Sequence, residues 1–463
     1  MRPFMSSQQP RTGSRVGATY SIPISSFGVE ELADEKKRLT LQARTSFGAP
    51  PPPFQSWFEH DGVIHLPRFY GLGRYGLSEV DERVDGDVIN ITFQGTLSDV
   101  QTRASTVVQS RHLCDNGNGG TIISLPCGLG KTVLGVHIVA ARNRKTCILV
   151  HKAVIRDQWK DSFERFCPGV KVGFIQGKLW QVDGYDVVIA MVMTLAKRDI
   201  PMHMFDSFGV VIADEAHHMA APVMNIAMRG FRARWIIGLT ATKDRPDGLT
   251  PLLHWCLGPE GFRVERDSEN VKVSMALFSG ATREILSRSN GKPLVSVMIT
   301  NLALHARRNA FIADRIVTMR NAGRVIMILS DRRAQLDILH TFVVQRGVPE
   351  ADVGIFKGGM RDADREEQLA RPVVMCTYGM ANEGVDKREA DTCVMATPKG
   401  RVIQCIGRIQ RPCATKQHPL VLDICDDVSL FIPLRWGRQR MYGREKYDVQ
   451  VLEHDCGSDM WHV

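Results

Sequence analysis

Residues 121–132 read TIISLPCGLGKT, a short apolar run followed by a glycine-rich loop and the start of a helical pattern. Outward from this stretch, strand-like apolar runs alternate with amphipathic, helix-length segments in two blocks of sequence. The runs lie at residues 121–125, 146–150, 186–190, 208–213 and 234–239, and again at 271–278, 324–330, 372–377, 392–397 and 419–424. Short buried strands that alternate with helices form parallel sheets. We therefore predict an α/β fold with two parallel-sheet lobes in tandem and a small β-rich N-terminal module.

The composition is that of an ordinary globular protein. The chain has 463 residues, of which 44% are apolar and 24% are charged, and these values exclude a fibrous or wholly disordered chain. At about 150 residues per domain, two to four domains are expected. No apolar run reaches the length of a membrane span, and the N-terminal residues 1–15 lack the apolar core of a secretion signal. We expect an intracellular protein that is not secreted and does not bind membranes.

Cysteine spacing and net charge narrow the choice of partners. The 11 cysteines are scattered without a C-x-x-C pair, which predicts reduced thiols and no zinc site. The 59 Lys and Arg residues outnumber the 50 Asp and Glu residues, giving a net charge of +9. This surplus is compatible with a polyanionic partner such as nucleic acid, although a solvated basic surface has the same composition.

Changes of composition along the chain predict its domain boundaries. We expect a flexible N-terminal lead over residues 1–53, a β-rich accessory module over 54–96 and the first lobe, which binds ATP, over 97–258. A connector then spans residues 259–281, and a helical region over 282–321 is a candidate thumb-like insertion. The second lobe, with a basic C-terminal tail, spans residues 322–463.

The glycine-rich loop predicts a site for a nucleoside triphosphate. Gly128 and Gly130 allow backbone N–H groups to approach phosphate oxygens at a helix N-terminus. Lys131 supplies a positive charge for the β- and γ-phosphates, and Thr132 offers a hydroxyl to Mg²⁺. The pattern G-x-x-x-x-G-K-[ST] would place glycine at position 125, where this chain has Leu125. A purely structural strand-to-helix turn is the alternative interpretation.

An acidic pair follows another buried run. Asp214 and Glu215 begin the sequence DEAH directly after residues 208–213, 83 residues beyond Lys131 (214 − 131). A carboxylate at the end of a buried strand is poorly solvated unless it meets a cation. We expect Asp214 to hold Mg²⁺ and Glu215 to polarise the attacking water. His217 is expected to couple hydrolysis to movement. The alternative interpretation of the acidic pair is an aspartate that caps a helix, with a glutamate beside it.

Three later motifs complete the set. Residues 238–242 read GLTAT, and their hydroxyls could relay hydrogen bonds from the acidic pair to a nucleic-acid groove. Residues 382–386 read NEGVD, follow a strand-like run and are expected to line the nucleotide cleft. Residues 404–411 read QCIGRIQR, which places Arg408 and Arg411 three residues apart on one helical face. Planar guanidinium groups in this arrangement can bind a γ-phosphate.

In this order, over residues 97–432, the motifs resemble those of the superfamily 2 helicases and translocases. The sequences PCGLGK, LTAT and QCIGRIQR are most similar to XPB-type DNA-dependent ATPases. The stretches ILVHKAVIRDQW, DEAHH and LTATKDRPDGL are closer still to XPB-related helicases of large DNA viruses, including the poxvirus transcript-release type. The resemblance implies two RecA-like lobes with ATP in the cleft between them. Pro246 stands where XPB-type proteins carry the Glu of an R-E-D element, so this chain departs from that family at this position.

The resemblance also implies roles for individual residues. The catalytic residues are Lys131, Asp214, Glu215, Arg408 and Arg411, and Mg²⁺ is held by Thr132 and Asp214. The nucleotide contacts are Gln101, Pro126, Cys127, Gly128, Leu129, Gly130, Lys131, Thr132, Gly384 and Asp386. Coupling is assigned to His217, Thr240, Thr242 and Gln404, and nucleic-acid contact to His151, Lys152, Thr194 and Thr377.

The function expected from the sequence is therefore an ATP-dependent DNA helicase or translocase that acts as a monomeric motor. We expect it to serve viral transcription or DNA repair, in the nucleus, at a viral replication site or in the virion. An RNA helicase would share every motif above, and a translocase that does not separate strands would also fit. A non-catalytic interaction module built on an inactive motor is the third alternative. The rate of ATP hydrolysis with different nucleic acids separates these possibilities.

Overall fold

The structure is a computed structural model. It describes residues 10–462 except for residues 44–50, 115–116, 127, 199–201, 217–220, 242–247, 265–270, 288, 290, 357–359, 361, 384–386, 401, 412, 414–415 and 455–460. The chain divides into two compact units, Met1–Glu265 and Arg266–Val463, each with its own apolar cores. In the part of the chain that the structure describes, no helix is long and apolar enough to cross a membrane.

A small β module forms the first part of unit 1. Its elements are β1 (Arg15–Val16), β2 (Thr19–Pro23), α1 (Val29–Arg38), β3 (Thr40–Leu41), β4 (Phe54–Gln55), β5 (Phe58–His60), β6 (Val63–Pro67), α2 (Arg68–Tyr75) and β7 (Val80–Asp81). Strands β5, β6, β2, β1 and β7 form one sheet in that order, and β3 pairs separately with β4.

The module begins well before residue 54, where the sequence analysis placed its start. Residues 10–43, which were expected to belong to a flexible lead, contain three strands and a helix. Tyr20 and Ile22 of β2 are fully buried and pair with apolar residues of β6. The strand that pairs with β2 lies about 40 residues downstream. The short sequence of β2 therefore does not show by itself that it belongs to a sheet.

The rest of unit 1 is the first α/β lobe. Its elements are α3 (Asp99–Arg111), β8 (Gly120–Ser124), α4 (Lys131–Arg142), β9 (Thr146–Val150), α5 (Ala153–Phe166), β10 (Val172–Gln176), β11 (Leu179–Trp180), β12 (Val187–Met191), α6 (Val192–Ala196), β13 (Val210–Asp214), α7 (Ala221–Met228), β14 (Trp235–Thr240), α8 (Thr250–Leu257) and β15 (Glu260–Arg263). The sheet order is β11-β10-β12-β9-β13-β14-β8-β15, and every pairing is parallel except that of β11 with β10.

Both faces of this sheet are covered, as expected for parallel strands. On β9, Ile148 and Val150 join one apolar core, which also contains residues of α3, α4 and α5. Cys147 and Leu149, which alternate with them, join a second core that contains residues of α7, α8 and the β module. The β module is therefore packed against the first lobe. Arg68 of α2 reinforces this packing, because its guanidinium donates to the carbonyl oxygens of Phe231 and Ala233, both at 2.7 Å.

Unit 2 is a second α/β lobe. Its elements are β16 (Lys272–Phe278), α9 (Val295–Leu304), α10 (Ala306–Asn321), β17 (Ile326–Ser330), α11 (Arg333–Gln345), β18 (Val353–Phe356), α12 (Asp362–Ala370), β19 (Val373–Thr377), α13 (Tyr378–Glu383), β20 (Thr392–Met395), α14 (Ile403–Ile409), β21 (Leu420–Asp426), α15 (Ile432–Arg444), β22 (Asp448–His454) and β23 (Trp461–His462). The sheet order is β18-β19-β17-β20-β21-β16-β22-β23, and every pairing except β22 with β23 is parallel. The predicted α/β class with two parallel-sheet lobes and an N-terminal β module is confirmed.

Three boundaries differ from those expected. The first lobe continues past residue 258, because β15 pairs with β8. Strand β16, inside the expected connector, lies between β21 and β22 in the second sheet. Helices α9 and α10, expected as a separate helical region, bury Met298, Leu302 and Ile312 in the core of the second lobe. These helices cover a face of the sheet, and their apolar residues therefore belong to that core.

A buried ion pair joins α10 to the end of β21. Arg308 Nε and Nη2 donate to Asp426 Oδ1 and Oδ2 at 2.8 and 2.9 Å, and both side chains are at most 1% exposed. The third guanidinium nitrogen donates to the carbonyl oxygen of Ala396 at 2.7 Å. Every nitrogen of the guanidinium is thus engaged, which is the condition for tolerating a buried charge.

Asp426→Asn should destabilise unit 2 by about 3–5 kcal/mol, because it leaves the Arg308 charge buried without its counterion. Urea unfolding followed by circular dichroism measures this change. The matched control is Asp427→Asn, one residue along and exposed, which should change the free energy of unfolding by no more than about 0.5 kcal/mol. Equal stabilities of the two variants would contradict the expected role of this ion pair.

Candidate nucleotide site

Three neighbouring strands of the first lobe bring the predicted motifs to one edge of the sheet. Strand β14 lies between β8 and β13, and all three run parallel. Their carboxyl ends therefore meet at the same edge, where open α/β sheets bind ligands. The glycine-rich loop follows β8, Thr240 ends β14, and Asp214 ends β13. A hydrogen bond of 3.0 Å from the N–H of Leu125 to the carbonyl of Thr240 joins the first two.

The loop has the backbone conformation that its glycines predict. Gly128 and Gly130 have φ values of 91° and 72°, which side chains other than glycine rarely adopt. Gly130 is the N-cap of α4 in the left-handed region. Leu125, the departure from the phosphate-loop pattern, is fully buried in an apolar core of the lobe. Position 125 is thus part of the packed interior, and this explains why leucine is accommodated there.

Gln101 fixes the loop from the side. Its Nε2 donates to the carbonyl oxygens of Gly130 at 3.0 Å and Leu129 at 3.4 Å. Its Oε1 accepts from the N–H of Ser98 at 2.8 Å, which completes a capping box at the start of α3. A Cβ atom at position 130 would lie 2.3 Å from Gln101 Nε2. Gln101, which the resemblance assigns to nucleotide contact, therefore also supports the loop, a role that the sequence analysis did not include.

Lys131 lies between the loop and the acidic pair. Its side chain is only 9% exposed, with Nζ 3.4 Å from the carbonyl oxygen of Leu125 and 3.4 Å from Glu215 Oε1. It is the first residue of α4, and Thr132 follows it in the first helical turn. The Lys131 charge and the N-terminus of α4 therefore lie together, and both favour the binding of an anion.

Asp214 is held by two donors. Trp159 Nε1 of α5 donates to Asp214 Oδ2 at 2.7 Å, and the N–H of Glu215 donates to Asp214 Oδ1 at 2.9 Å. Trp159 is fully buried, and Asp214 is 5% exposed. Glu215 has a φ of 45°, an uncommon value for a residue other than glycine. The two carboxylates therefore have a constrained arrangement at the end of β13.

Burial and, to a lesser extent, the negative charge of Glu215 raise the pKa of Asp214 to about 6, although Lys131 and the two hydrogen bonds to the carboxylate act to lower it. Two carboxylates beside each other in a buried place favour binding a divalent cation, because the cation compensates both charges. Together with the hydroxyl of Thr132, the donor set is made of oxygen atoms, the ligands that Mg²⁺ prefers. The residues present fit the predicted ion.

The other predicted residues of unit 1 have varied surroundings. His151 follows β9, and its burial lowers the pKa of its ring. The negative charges of Glu215 and Asp214 act in the opposite direction, so the ring lies close enough to interact electrostatically with the acidic pair. Lys152 is exposed at the start of α5. Thr194 of α6 accepts a hydrogen bond from the N–H of Gly177 at 3.2 Å. The carbonyl oxygen of Pro126, at the start of the glycine-rich loop, accepts a hydrogen bond from the N–H of Leu129 at 3.3 Å.

The remaining predicted residues lie in unit 2 or outside the residues that the structure describes. Gln404 and Arg408 lie on α14, but the helix ends at Ile409 and Arg411 follows it. The expectation that Arg408 and Arg411 share one helical face is therefore wrong, because the helix stops two residues before Arg411. Thr377 ends β19 and accepts from the N–H of Met380 at 3.5 Å. Cys127, His217, Thr242, Gly384 and Asp386 lie outside the described residues.

Trp159 is a residue of this candidate site that the sequence analysis missed. Ile155, Trp159 and Phe163 are buried at intervals of four along α5, which is the pattern of an ordinary core-facing helix. The sequence still contained a clue to this role. A buried indole N–H needs a hydrogen-bond acceptor, and the acidic pair that follows a strand of the same sheet supplies a carboxylate. The space for the ring comes from Gly135, where a Cβ atom would lie 2.4 Å from Trp159 Cη2.

The chain is similar to known proteins over much of its length. The family model described as "Type III restriction enzyme, res subunit" matches residues 94–245. A protein of Acanthamoeba polyphaga mimivirus named "Putative ATP-dependent RNA helicase" is 30% identical over 406 residues, covering 86% of this chain and 78% of that protein. The chain belongs to the superfamily 2 helicases. A protein of the same name from African swine fever virus is 26% identical over 367 residues, with 72% and 70% of the two chains covered.

The fold of this helicase agrees with that of a solved structure. Saccharomyces cerevisiae Dbp5, bound to RNA and ADP BeF3, matches with a TM-score of 0.51 at 13% identity. The match covers 78% of this chain and 90% of that protein. This likeness supports the RecA-like architecture of the lobes. As a superfamily 2 helicase, the chain belongs with nucleic-acid-dependent ATPases, which fits the glycine-rich loop and the acidic pair found at one sheet edge.

Trp159→Phe should lower the turnover number for ATP hydrolysis by about tenfold, because Asp214 loses a charge-assisted hydrogen bond worth about 1.5–3 kcal/mol. Steady-state ATPase assays measure this loss, and thermal unfolding reports the stability. The matched control is Trp235→Phe, since the buried Trp235 Nε1 donates at 2.9 Å to the carbonyl of Leu113. The control should lose stability but keep its turnover. Similar turnover in both variants would contradict the role of Trp159.

Proposed function

We propose that this superfamily 2 helicase is an XPB-like motor that couples ATP hydrolysis to movement along DNA. The observation that carries the proposal lies within unit 1, at the carboxyl edge of its parallel sheet. There the Lys131 ammonium lies 3.4 Å from Glu215 Oε1, and Asp214 is buried beside them with a hydrogen bond from Trp159. A phosphate-binding loop next to a paired carboxylate is the arrangement that hydrolysis of a nucleoside triphosphate requires.

The residues of this edge divide the chemistry among them. Thr132 and Asp214 would hold Mg²⁺, which when bound neutralises charge on the phosphates. Gly128, Gly130 and Lys131 bind and orient the triphosphate through backbone N–H groups and a point charge. Glu215 orients the attacking water and accepts its proton at a carboxylate oxygen. Pro126, Cys127 and Leu129 belong to the same loop, and we propose that they contact the nucleotide through their backbone.

We propose further roles for the remaining predicted residues. Arg408 and Arg411 stabilise the charge that develops on the γ-phosphate, supported by their spacing and by the planar geometry of guanidinium groups. Gln101, Gly384 and Asp386 contribute to nucleotide binding. Coupling falls to His217, Thr240, Thr242 and Gln404, and contact with the nucleic-acid backbone to His151, Lys152, Thr194 and Thr377.

Two lines of support favour DNA as the track. The motif sequences PCGLGK, LTAT and QCIGRIQR resemble XPB-type DNA-dependent ATPases, and the matching family model is named for a restriction-enzyme subunit. RNA is the second candidate, favoured by the names of the mimivirus and African swine fever virus relatives. Since these relatives are viral, we also propose a role in viral transcription or repair at the site of viral replication.

Lys131→Ala should abolish ATP turnover, because the positive charge for the β- and γ-phosphates is lost while the fold around the loop is kept. The measurement is the ATPase rate with duplex DNA, single-stranded DNA, RNA or no nucleic acid. Stimulation by DNA above RNA is the expected result for the wild-type chain. The control is Lys37→Ala, an exposed lysine on α1, which should retain turnover.

Normal, nucleic-acid-stimulated turnover by Lys131→Ala would overturn the assignment of the site. Stimulation by RNA alone would replace the DNA proposal with the RNA candidate. A wild-type chain that hydrolyses no ATP under any of these conditions would identify a non-catalytic interaction module. A strand-displacement assay with the active chain distinguishes helicase action from translocation without unwinding.

Arg408→Ala should reduce turnover by about 10³-fold or more, with a much smaller change in nucleotide affinity, because a guanidinium finger acts mainly on the transition state. Turnover and nucleotide affinity are measured separately, by steady-state kinetics and by equilibrium titration. The control is Arg333→Ala, an exposed arginine at the start of α11. A parallel loss of affinity and turnover in Arg408→Ala would show that the residue acts in ground-state binding.

A further inference from the structure

Helix α15 is anchored to the second lobe by one of its faces. Arg438 Nε donates to Asp423 Oδ2 at 2.7 Å, and the hydroxyl of Tyr442 donates to the same oxygen at 2.8 Å. Arg438 Nη1 also donates to the carbonyl oxygen of Lys399. Both side chains of α15 are buried, and the carboxylate that they share lies in the middle of β21. Because they lie four residues apart, they define a single inward-facing stripe.

The opposite face of α15 is basic and carries an exposed indole. At about 100° per residue, Trp436, Arg440 and Arg444 lie within about 40° of the direction directly opposite the anchoring pair. Trp436 is 51% exposed, and Arg440 and Arg444 are also exposed. Along the helix axis they are spaced by about 6 Å, so the face spans about 12 Å. We call these three residues the α15 face.

The composition of this face is not that of a solvated helix surface. Exposure of the large apolar ring of an indole to water is unfavourable, and tryptophan is typical of binding surfaces. The guanidinium of Arg435 lies over the Trp436 ring, 5.2 Å from its centroid, and adds positive charge there, so a base would stack on the opposite side of the ring. Glu445 Oε1 lies 3.6 Å from Arg444 Nε and offsets part of this charge, but the three arginines of this part of the helix outnumber it. The field over the α15 face is therefore positive.

A glycine lies within the same face. Gly443 is exposed, and a Cβ atom placed there would meet nothing within 4 Å. Glycine inside a helix costs about 1 kcal/mol relative to alanine, and it exposes the helix backbone to close approach. Gly443 lies three residues beyond Arg440, on the Trp436 side of the face. A flat ring, two guanidiniums and open backbone thus adjoin one another.

We propose that the α15 face binds a single-stranded segment of nucleic acid, with one unpaired base stacked on Trp436 and phosphates contacted by Arg440 and Arg444. Aromatic rings flanked by cations are the arrangement that holds single strands without reading their sequence. The inference rests on the proposed function, since it names a further part of the surface along which the nucleic acid runs. None of the motifs assigned to nucleic-acid contact includes these residues.

Three variants of the full chain test the proposal. Trp436→Ala should weaken binding of a fluorescein-labelled oligo(dT) or oligo(rU) by about 5- to 100-fold, measured by fluorescence anisotropy. Trp436→Phe keeps a flat ring and should recover most of that loss. Arg440→Gln should make the plot of log affinity against log salt shallower by about 0.7, the contribution of one phosphate contact on a single strand.

The matched control is Arg333→Gln, which removes an exposed arginine from α11 of the same unit. It should leave both the affinity and the salt slope at the wild-type values. Thermal unfolding confirms that all the variants fold, as expected for substitutions of exposed side chains. Blunt duplex DNA and polyaspartate serve as ligands that lack an unpaired base.

Two results would overturn the proposal. One is that Trp436→Ala and Arg440→Gln bind the single strands with wild-type affinity and salt slope. The other is that Trp436→Ala weakens binding of blunt duplex or of polyaspartate as much as binding of the single strands, because the face would then hold a duplex or an acidic protein. A wild-type chain whose ATPase activity responds to no nucleic acid would instead refute the proposed function. The two failures are therefore distinguishable.

Discussion

The burial of one carboxylate at the end of β13 is the constraint on which the site depends. Asp214 is nearly inaccessible to water, so its charge must be balanced by donors and cations close by. Trp159 and the N–H of Glu215 supply the donors, and Lys131 contributes an opposing positive charge. Burial is the main cause of the raised pKa of Asp214, and the charge of Glu215 adds to it. A divalent cation would offset both effects, which is why the oxygen atoms at this place fit such an ion.

The parallel sheet gives this carboxylate its neighbours. Because β8, β14 and β13 run in the same direction, the segments that follow them emerge together. The loop of residues 125–132 then receives support from two directions, from the carbonyl of Thr240 and from the amide of Gln101. Glycine at position 130 allows the Gln101 side chain to come close. A site of this kind is an outcome of strand order as much as of motif chemistry.

Unit 2 uses buried arginines for a different purpose. Arg308 and Arg438 are each engaged by a β21 carboxylate, Asp426 and Asp423, and each pair fixes a helix on the sheet. The second pair determines the rotation of α15, and it thereby determines which residues of that helix remain exposed. An arginine-rich C-terminal segment is thus divided into an anchor and an open basic face. Charge counts alone would treat these arginines as equivalent.

The sequence by itself determined the α/β class and the places of the glycine-rich loop and the acidic pair, because these depend on local patterns of apolar residues, glycines and carboxylates. The tertiary structure alone decided that β2 joins a sheet with β6, that β16 belongs to the second lobe, and that Trp159 donates to Asp214. Each of these is a pairing between residues far apart in sequence. Local patterns carry the period of an element but not the identity of its partner, and packing is what chooses that partner.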